Sequence, residues 1–224
     1  MTDKPRTPDA QLAHALRFHG IDLVLDVGAN RGQYAKRLRA HGYDGRIVSI
    51  EPLPDLRDAL LAEAAGDPLW TVAAAMAFGD APGEAVIERS AESDMSSLLP
   101  QSALLRAMSP SSVVVERVAV PVARLDDLAP AWLGDGARPF LKLDVQGYEA
   151  RVLDGAAALL PRLAGVQVEL SLLECYEGER LWRESVDWLE AQGFSLCLVL
   201  PGYYERKLGR HLQMDGVFVR DGMG

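Results

Sequence analysis

The chain has 224 residues, 49% of them hydrophobic, which suits a single domain with one covered-sheet core. Its 23 lysines and arginines against 32 aspartates and glutamates leave a net charge of -9 with no basic run among aromatics, so nucleic acid is not an expected partner. No apolar run has the length of a membrane span, the opening residues do not read as a secretory leader, and the two cysteines have no metal or redox spacing. A soluble, cytoplasmic protein with two buried structural thiols is expected.

Pro8 to His19 carries Leu12, Leu16 and His19 at helical spacing and stops at Gly20. Residues 1–20 thus read as an N-terminal helical extension and residues 21–224 as the main domain. Leu23 to Val27 is a first strand, followed by the turn Gly28-Ala29-Asn30-Arg31-Gly32 and a helix with Tyr34 and Leu38 that ends near Gly42. Arg46 to Ile50 is a second strand closing on Glu51-Pro52, and Pro54 opens a helix carrying Leu56, Leu60 and Leu61. Leu69 to Ala75 is a third strand.

Residues 78–118 depart from the strand and helix rhythm and read as a loop or lid insertion. Within it lie a turn at Gly79 to Gly83, a strand at Glu84 to Glu88, the small polar loop Ser90 to Leu99, and a strand at Val113 to Val120. After a short helix at Arg124 to Leu128, a central strand from Pro139 to Leu143 ends at Asp144. Tyr148 to Leu160 is a helix weakened at Gly155, Val166 to Leu170 a strand, Glu179 to Ala191 a helix, and Phe194 to Leu200 a strand. Asp215 to Val219 fits an antiparallel strand inserted at the end. The alternation predicts an α/β, Rossmann-like fold: a mostly parallel seven-stranded sheet, a C-terminal antiparallel strand, and helices on both faces.

Chemistry concentrates at two strand ends. Gly28 and Gly32 stand where a strand turns into a helix, so the backbone can approach a ligand closely; the plainer reading is a tight turn. Glu51 closes the second strand 23 residues after Gly28, where a carboxylate can accept both hydroxyls of a ribose, or simply end the strand in solvent. Asp26 is a polar residue in an apolar strand and needs partners. Asn30 either faces the ligand or caps the next helix. The glycine spacing does not meet the dinucleotide fingerprint, and no phosphate-gripping Gly-Lys-Ser/Thr sequence occurs.

The run Asp26 to Gly32, Ile50-Glu51-Pro52, Lys142-x-Asp144-x-x-Gly147-x-Glu149 and Val168-Glu169 together resemble an FkbM-type methyltransferase, within the class I S-adenosylmethionine-dependent enzymes. The resemblance runs from about residue 21 to 220, and departs from the commoner pattern in having Gln146 where glutamate is frequent. It implies that Asp26, Gly28, Asn30 and Gly32 surround the methionyl part of S-adenosylmethionine, that Glu51 binds its ribose, and that Ala74 and Ala75 contribute to the adenine environment. It also implies methylation of oxygen, on a hydroxyl of a small molecule, sugar or natural product.

For such chemistry Asp144, at the end of a central strand, is the leading proton acceptor. Asp144 with Glu169 is alternatively a pair of ligands for Mg2+ that lowers the hydroxyl pKa. His211 is a late-loop candidate base, with Tyr203 and Tyr204 as candidate walls for the acceptor. Lys142 shares a strand face with Asp144, and Glu149 suits the start of a helix. The expected partner is a small-molecule hydroxyl acceptor, without nucleic acid or membrane, and with a homo-oligomer left open. The competing readings are an NAD-dependent oxidoreductase, which also needs a ribose carboxylate, and a catalytically silent ligand-binding protein.

Overall fold

A computed structural model describes residues 5–220. Residues 1–4 of the expected extension and 221–224 of the expected main domain lie outside the described residues. In chain order the first elements are α1 (Pro8–Phe18), β1 (Leu23–Val27), α2 (Gln33–Ala40), β2 (Arg46–Ile50), α3 (Pro54–Ala64) and β3 (Trp70–Val72). There follow β4 (Ala77–Phe78), β5 (Gly83–Ser90), α4 (Ala103–Met108), β6 (Val114–Ala123) and α5 (Leu125–Leu128). The remainder comprises β7 (Pro139–Leu143), α6 (Glu149–Asp154), β8 (Gly165–Ser171), α7 (Trp182–Ala191), β9 (Phe194–Pro201), β10 (Tyr204–Glu205), β11 (Arg210–His211) and β12 (Gln213–Arg220).

Seven strands form the predicted sheet in the order β3-β2-β1-β7-β8-β12-β9. β12 is antiparallel to both β8 and β9, while β3, β2, β1, β7 and β8 pair in parallel. Every residue of β1 and β7 is buried, because helices cover both faces. Leu25, Leu141 and Val166 pack to one side with Val152, Leu159 and Leu189. Val24, Ile47 and Phe140 pack to the other with Tyr34 and Leu38 of α2. Leu12, Ala13 and Leu16 of α1 are buried in this second cluster, so the leading helix shares the core of the domain. Thr7 accepts a hydrogen bond from Ala10 N–H at its amino end.

Residues 77–123 hold a second sheet, in which β6 pairs antiparallel with β5 and parallel with β4. The insertion expected as a loop or lid is therefore built on its own three-stranded support, and Val114–Ala123 does not join the main sheet. Two helices are shorter than expected. α6 stops at Asp154 with Gly155 as its cap, and Gly155 lies so close to β4's exit that a Cβ there would be 2.0 Å from the Gly79 carbonyl oxygen. Asp126 then accepts hydrogen bonds from Ala158 and Leu159 N–H, which starts a separate turn. α7 begins at Trp182, not Glu179, since the Glu179 carboxylate is engaged by the Ser171 hydroxyl and Tyr176 N–H.

Cys175 is buried, whereas Cys197 is exposed on β9, the outer strand of the sheet; the expectation of two buried thiols is corrected for the second. Among the described residues no helix is long and apolar enough to cross a membrane.

Candidate functional site

The turn after β1 is held by geometry that needs glycine. Gly28 has φ +76°, and its amide and that of Ala29 both donate to the Ile50 carbonyl, each at 3.0 Å. A Cβ on Gly28 would come within 1.9 Å of the Asp144 carbonyl oxygen, so the exits of β1 and β7 interlock there. Gly32, at φ +77°, permits the Trp70 ring to approach; a Cβ would meet two ring carbons at 2.7 Å.

Glu51 lies across from this turn at the end of β2 and is 5% exposed. One carboxylate oxygen accepts Asn30 N–H and the other Leu53 N–H, both at 2.9 Å. Burial pushes its pKa up to about 7, against the opposing pull of these two amides and of Lys142. Each oxygen retains a lone pair for another donor.

A cavity of about 330 Å³ opens between these strand ends. Gly28, Ala29, Asn30 and Glu51 form one side, and Leu53, Met76, Phe78, Ile87 and Leu98 an apolar side. Gln33, Tyr34 and Arg37 of α2 border it, and Lys142, Asp144 and Gln146 close the β7 end. The expected polar loop lines it too, through residues 93–98 with Asn30 Nδ2 donating to Ser93 Oγ at 3.2 Å.

Beneath the turn, Asp26 and Lys142 are register partners on β1 and β7, both buried, with Nζ 3.0 Å from Oδ1. The Ser49 hydroxyl donates to the other Asp26 oxygen at 3.1 Å, and Lys142 also donates to the Gly28 carbonyl at 3.1 Å. Burial works against the lysine's charge, but Asp26 and then Asp144 more than offset it and hold the ammonium above the usual lysine range. Asp26 thus supports the glycine turn through Lys142 and is not itself on the cavity wall.

Asp144 faces the cavity with Lys142 at 3.5 Å, and its Oδ1 accepts Gln146 Nε2–H at 2.8 Å. The same nitrogen donates to Glu169 Oε2 at 3.0 Å. Burial, followed by the nearby Asp144 and Glu149, pushes the Glu169 carboxyl well above its ordinary range. Glu149 begins α6 at the expected place, and its carboxylate accepts Val145 N–H in the preceding turn at 2.9 Å; burial raises it to about 8.

A family model, the methyltransferase FkbM domain, matches residues 26–196. The chain belongs to the FkbM methyltransferase family. It is therefore an S-adenosylmethionine-dependent methyltransferase with a class I fold. No curated protein sequence matches it. Magnesium protoporphyrin IX methyltransferase from Synechocystis PCC 6803, solved with bound S-adenosylmethionine, superposes with a TM-score of 0.50 at 10% identity, over 95% of this chain and 76% of that one. Fibrillarin from Aeropyrum pernix, also solved with S-adenosylmethionine, gives 0.49 at 14% identity, over 93% and 74%. Precorrin-6y C5,15-methyltransferase from Geobacter metallireducens GS-15 gives 0.47 at 13%, over 95% and 87%. At 10% identity the first of these shares the fold alone.

In this FkbM methyltransferase the residues singled out from sequence do not all meet. Gly28, Asn30, Glu51 and Asp144 line one cavity, while Asp26 and Gly32 shape it from behind. Ala74 and Ala75 do not line it: β3 ends at Val72, and the wall resumes with Met76, Ala77 and Phe78 where β4 returns to the site. His211 is placed away from the cavity, on the short β10–β11 ladder with its ring against Tyr204 at 5.2 Å. Tyr203 donates to Glu205 on that same ladder and lines no part of the cavity.

The Asp144 and Glu169 pair does not fit a resident Mg2+. The Gln146 amide hydrogens already satisfy one oxygen of each, and no group of three or more His, Cys, Asp or Glu side chains converges as a metal site among the described residues. The FkbM methyltransferase cavity also contains residues the sequence did not flag, notably Gln33, Tyr34 and Arg37. Their spacing on one face of α2, directly after the glycine turn, is the signal that locates them.

Proposed function

We propose that this enzyme methylates a hydroxyl oxygen of a small molecule, with S-adenosylmethionine held across the ends of β1 and β2 and the acceptor hydroxyl presented to Asp144. The observation that carries the reading is the placement of Glu51 and Asp144 on one cavity, whose size is that of a small-molecule pocket. When bound, S-adenosylmethionine supplies a methyl group already activated by its sulfonium. Glu51 accepts the ribose hydroxyls, the Gly28 turn lies against the amino-acid end, and the Leu53, Met76 and Phe78 side takes adenine. Asp144 receives the acceptor's proton, and the loop at residues 93–98 excludes water. A carboxylate can take the proton of a hydroxyl, an amine or a thiol alike, so the choice of oxygen rests on the motif resemblance. No step is assigned to a metal.

The test is S-adenosylhomocysteine formation with a panel of sugars, phenols and other hydroxyl compounds, alongside matched amines and thiols. Turnover confined to amines or thiols overturns the oxygen assignment. Calorimetry with S-adenosylmethionine and with NAD separates this reading from an oxidoreductase.

Two further outcomes are expected at Glu51. Glu51→Ala removes a charged hydrogen-bond acceptor contributing about 1.5–3 kcal/mol, so S-adenosylmethionine affinity falls roughly 10- to 150-fold by calorimetry. An unchanged Kd rejects the ribose assignment. The second outcome is a pH dependence. The ionised carboxylate is the form that accepts two hydroxyls, and its pKa in the free protein is about 7. Affinity therefore weakens as pH falls through that value, by at most about tenfold per pH unit, and binding below it releases a proton. Calorimetry in buffers of different ionisation enthalpy reads that proton; a flat affinity between pH 5.5 and 8 removes it.

A further inference from the structure

Gln146 has φ +56°, a left-handed backbone that only one other described non-glycine residue, Asn30, shares. Such a conformation costs about 1–3 kcal/mol and persists where surroundings enforce it. Four hydrogen bonds do so. The Gln146 carbonyl accepts the Ser97 hydroxyl at 2.6 Å, and the amide oxygen accepts the Tyr176 hydroxyl at 2.6 Å. The amide nitrogen donates to Asp144 at 2.8 Å and to Glu169 at 3.0 Å. Two carboxyl groups on one side and a hydroxyl on the other fix which way the amide points.

The neighbours are shaped around this residue. Gly147, at φ +91°, leaves room for Tyr176, whose Cβ would lie 2.7 Å from a Cβ added at the glycine. Tyr176 is fully buried, and its hydroxyl also lies 3.3 Å from the Met95 carbonyl. Ser97 fastens the loop bordering the cavity to this glutamine, and Met95 brings it to Tyr176. Glu169 is held in turn by Gln213 Nε2 at 2.8 Å.

We propose that Gln146 is a positioning residue for methyl transfer: its amide ties Asp144 to Glu169 and sets the direction in which Asp144 offers its remaining lone pairs to the acceptor. The inference rests on the reading of Asp144 as the group that meets the acceptor. The Asp144 side chain is 41% exposed and has two rotatable bonds, so its orientation is not fixed by packing alone. Gln146 holds one oxygen and the Lys142 ammonium, at 3.5 Å, faces the other. Without the amide, two carboxyl groups would confront each other unbridged, and Asp144 would turn toward water or toward Lys142. A displacement of about 1 Å in a reacting group is enough to cost roughly 100-fold in rate.

The decisive variant is Gln146→Leu, which keeps the side chain's bulk and removes its donors and acceptor. Crystal structures of wild type and variant with S-adenosylhomocysteine should show Asp144 in different rotamers. Turnover with the best acceptor of the hydroxyl panel should fall by about 10- to 100-fold, while calorimetric S-adenosylmethionine affinity stays within about threefold. If that variant does not fold, Tyr176→Phe removes only the hydroxyl that orients the amide and should give a smaller loss of the same kind. An unchanged Asp144 rotamer in Gln146→Leu overturns the proposal, as does unchanged turnover in the folded variant. Equal losses of affinity and turnover also overturn it, since they make Gln146 a general support of the crevice. Failure of the wild-type protein to bind S-adenosylmethionine would count against the proposed function instead. The rotamer comparison in ligand-free crystals would still test the tie.

Discussion

Asparagine in place of Asp144 is expected to lower turnover by about 10²- to 10⁴-fold, the range lost when a positioned proton acceptor is removed. Donor affinity should change by less than about threefold, because the proposed ribose and amino-acid contacts, Glu51 and the Gly28 turn, lie at the ends of β2 and β1. The substitution keeps the volume but replaces one oxygen with a donor. That NH2 must face either the Gln146 amide or the Lys142 ammonium, both donors themselves. Part of the loss therefore comes from a changed orientation, and a crystal structure of the variant separates this from the loss of basicity. Wild-type turnover in the folded variant would remove Asp144 from the chemistry.

The largest effect on stability is expected from Gly28→Ala. The backbone at φ +76° disfavours any side chain, and the added methyl would sit 1.9 Å from the Asp144 carbonyl oxygen, a backbone atom that cannot swing aside. Strain and overpacking together should cost about 3–5 kcal/mol in urea unfolding. Gly178→Ala is the control: φ is +78° there too, but nothing lies within 4 Å of the added atom. It should lose only about 1–2 kcal/mol. Similar losses in the two variants would show that the clash with Asp144 relaxes and that backbone strain alone matters. Because the struck atom belongs to Asp144, surviving Gly28→Ala protein should also turn over slowly.

The main sheet was readable because its strands are short apolar runs punctuated by glycine, proline or a carboxylate. β1, β2 and β7 begin and end where Leu23 to Val27, Arg46 to Ile50 and Pro139 to Leu143 predict. Glu51 stood out for the same reason, as the charge that ends an apolar strand. The rest depended on contacts between residues far apart in sequence. The weak point Gly155 is local and α6 stops there, but the close approach of Gly79, 76 positions earlier, is recorded nowhere in Tyr148–Leu160. Gln146 acquires meaning only from Glu169 and Tyr176, on and beyond β8. His211 reads in sequence as a titratable residue of a late loop, yet it packs on Tyr204 outside the cavity. Ala74 and Ala75 lie one or two residues before the wall, which resumes at Met76.

The placement of β12 orders the events of folding. β9 pairs with no strand of the main sheet except β12, and β12 is drawn from the final stretch of described chain. During synthesis, β8 and β9 emerge with a gap between them that no earlier segment fills. The backbone edges of β8 and β9 at Leu170 and Leu200 have no ladder partner until residues 213–220 are made, and Glu169 lacks the Gln213 amide until then. A chain cut before residue 213 would therefore leave β8 and β9 as two raw edges open to pairing with other chains, while the cavity, lined from β1, β2, β7 and the residues between them, would keep all of its own wall.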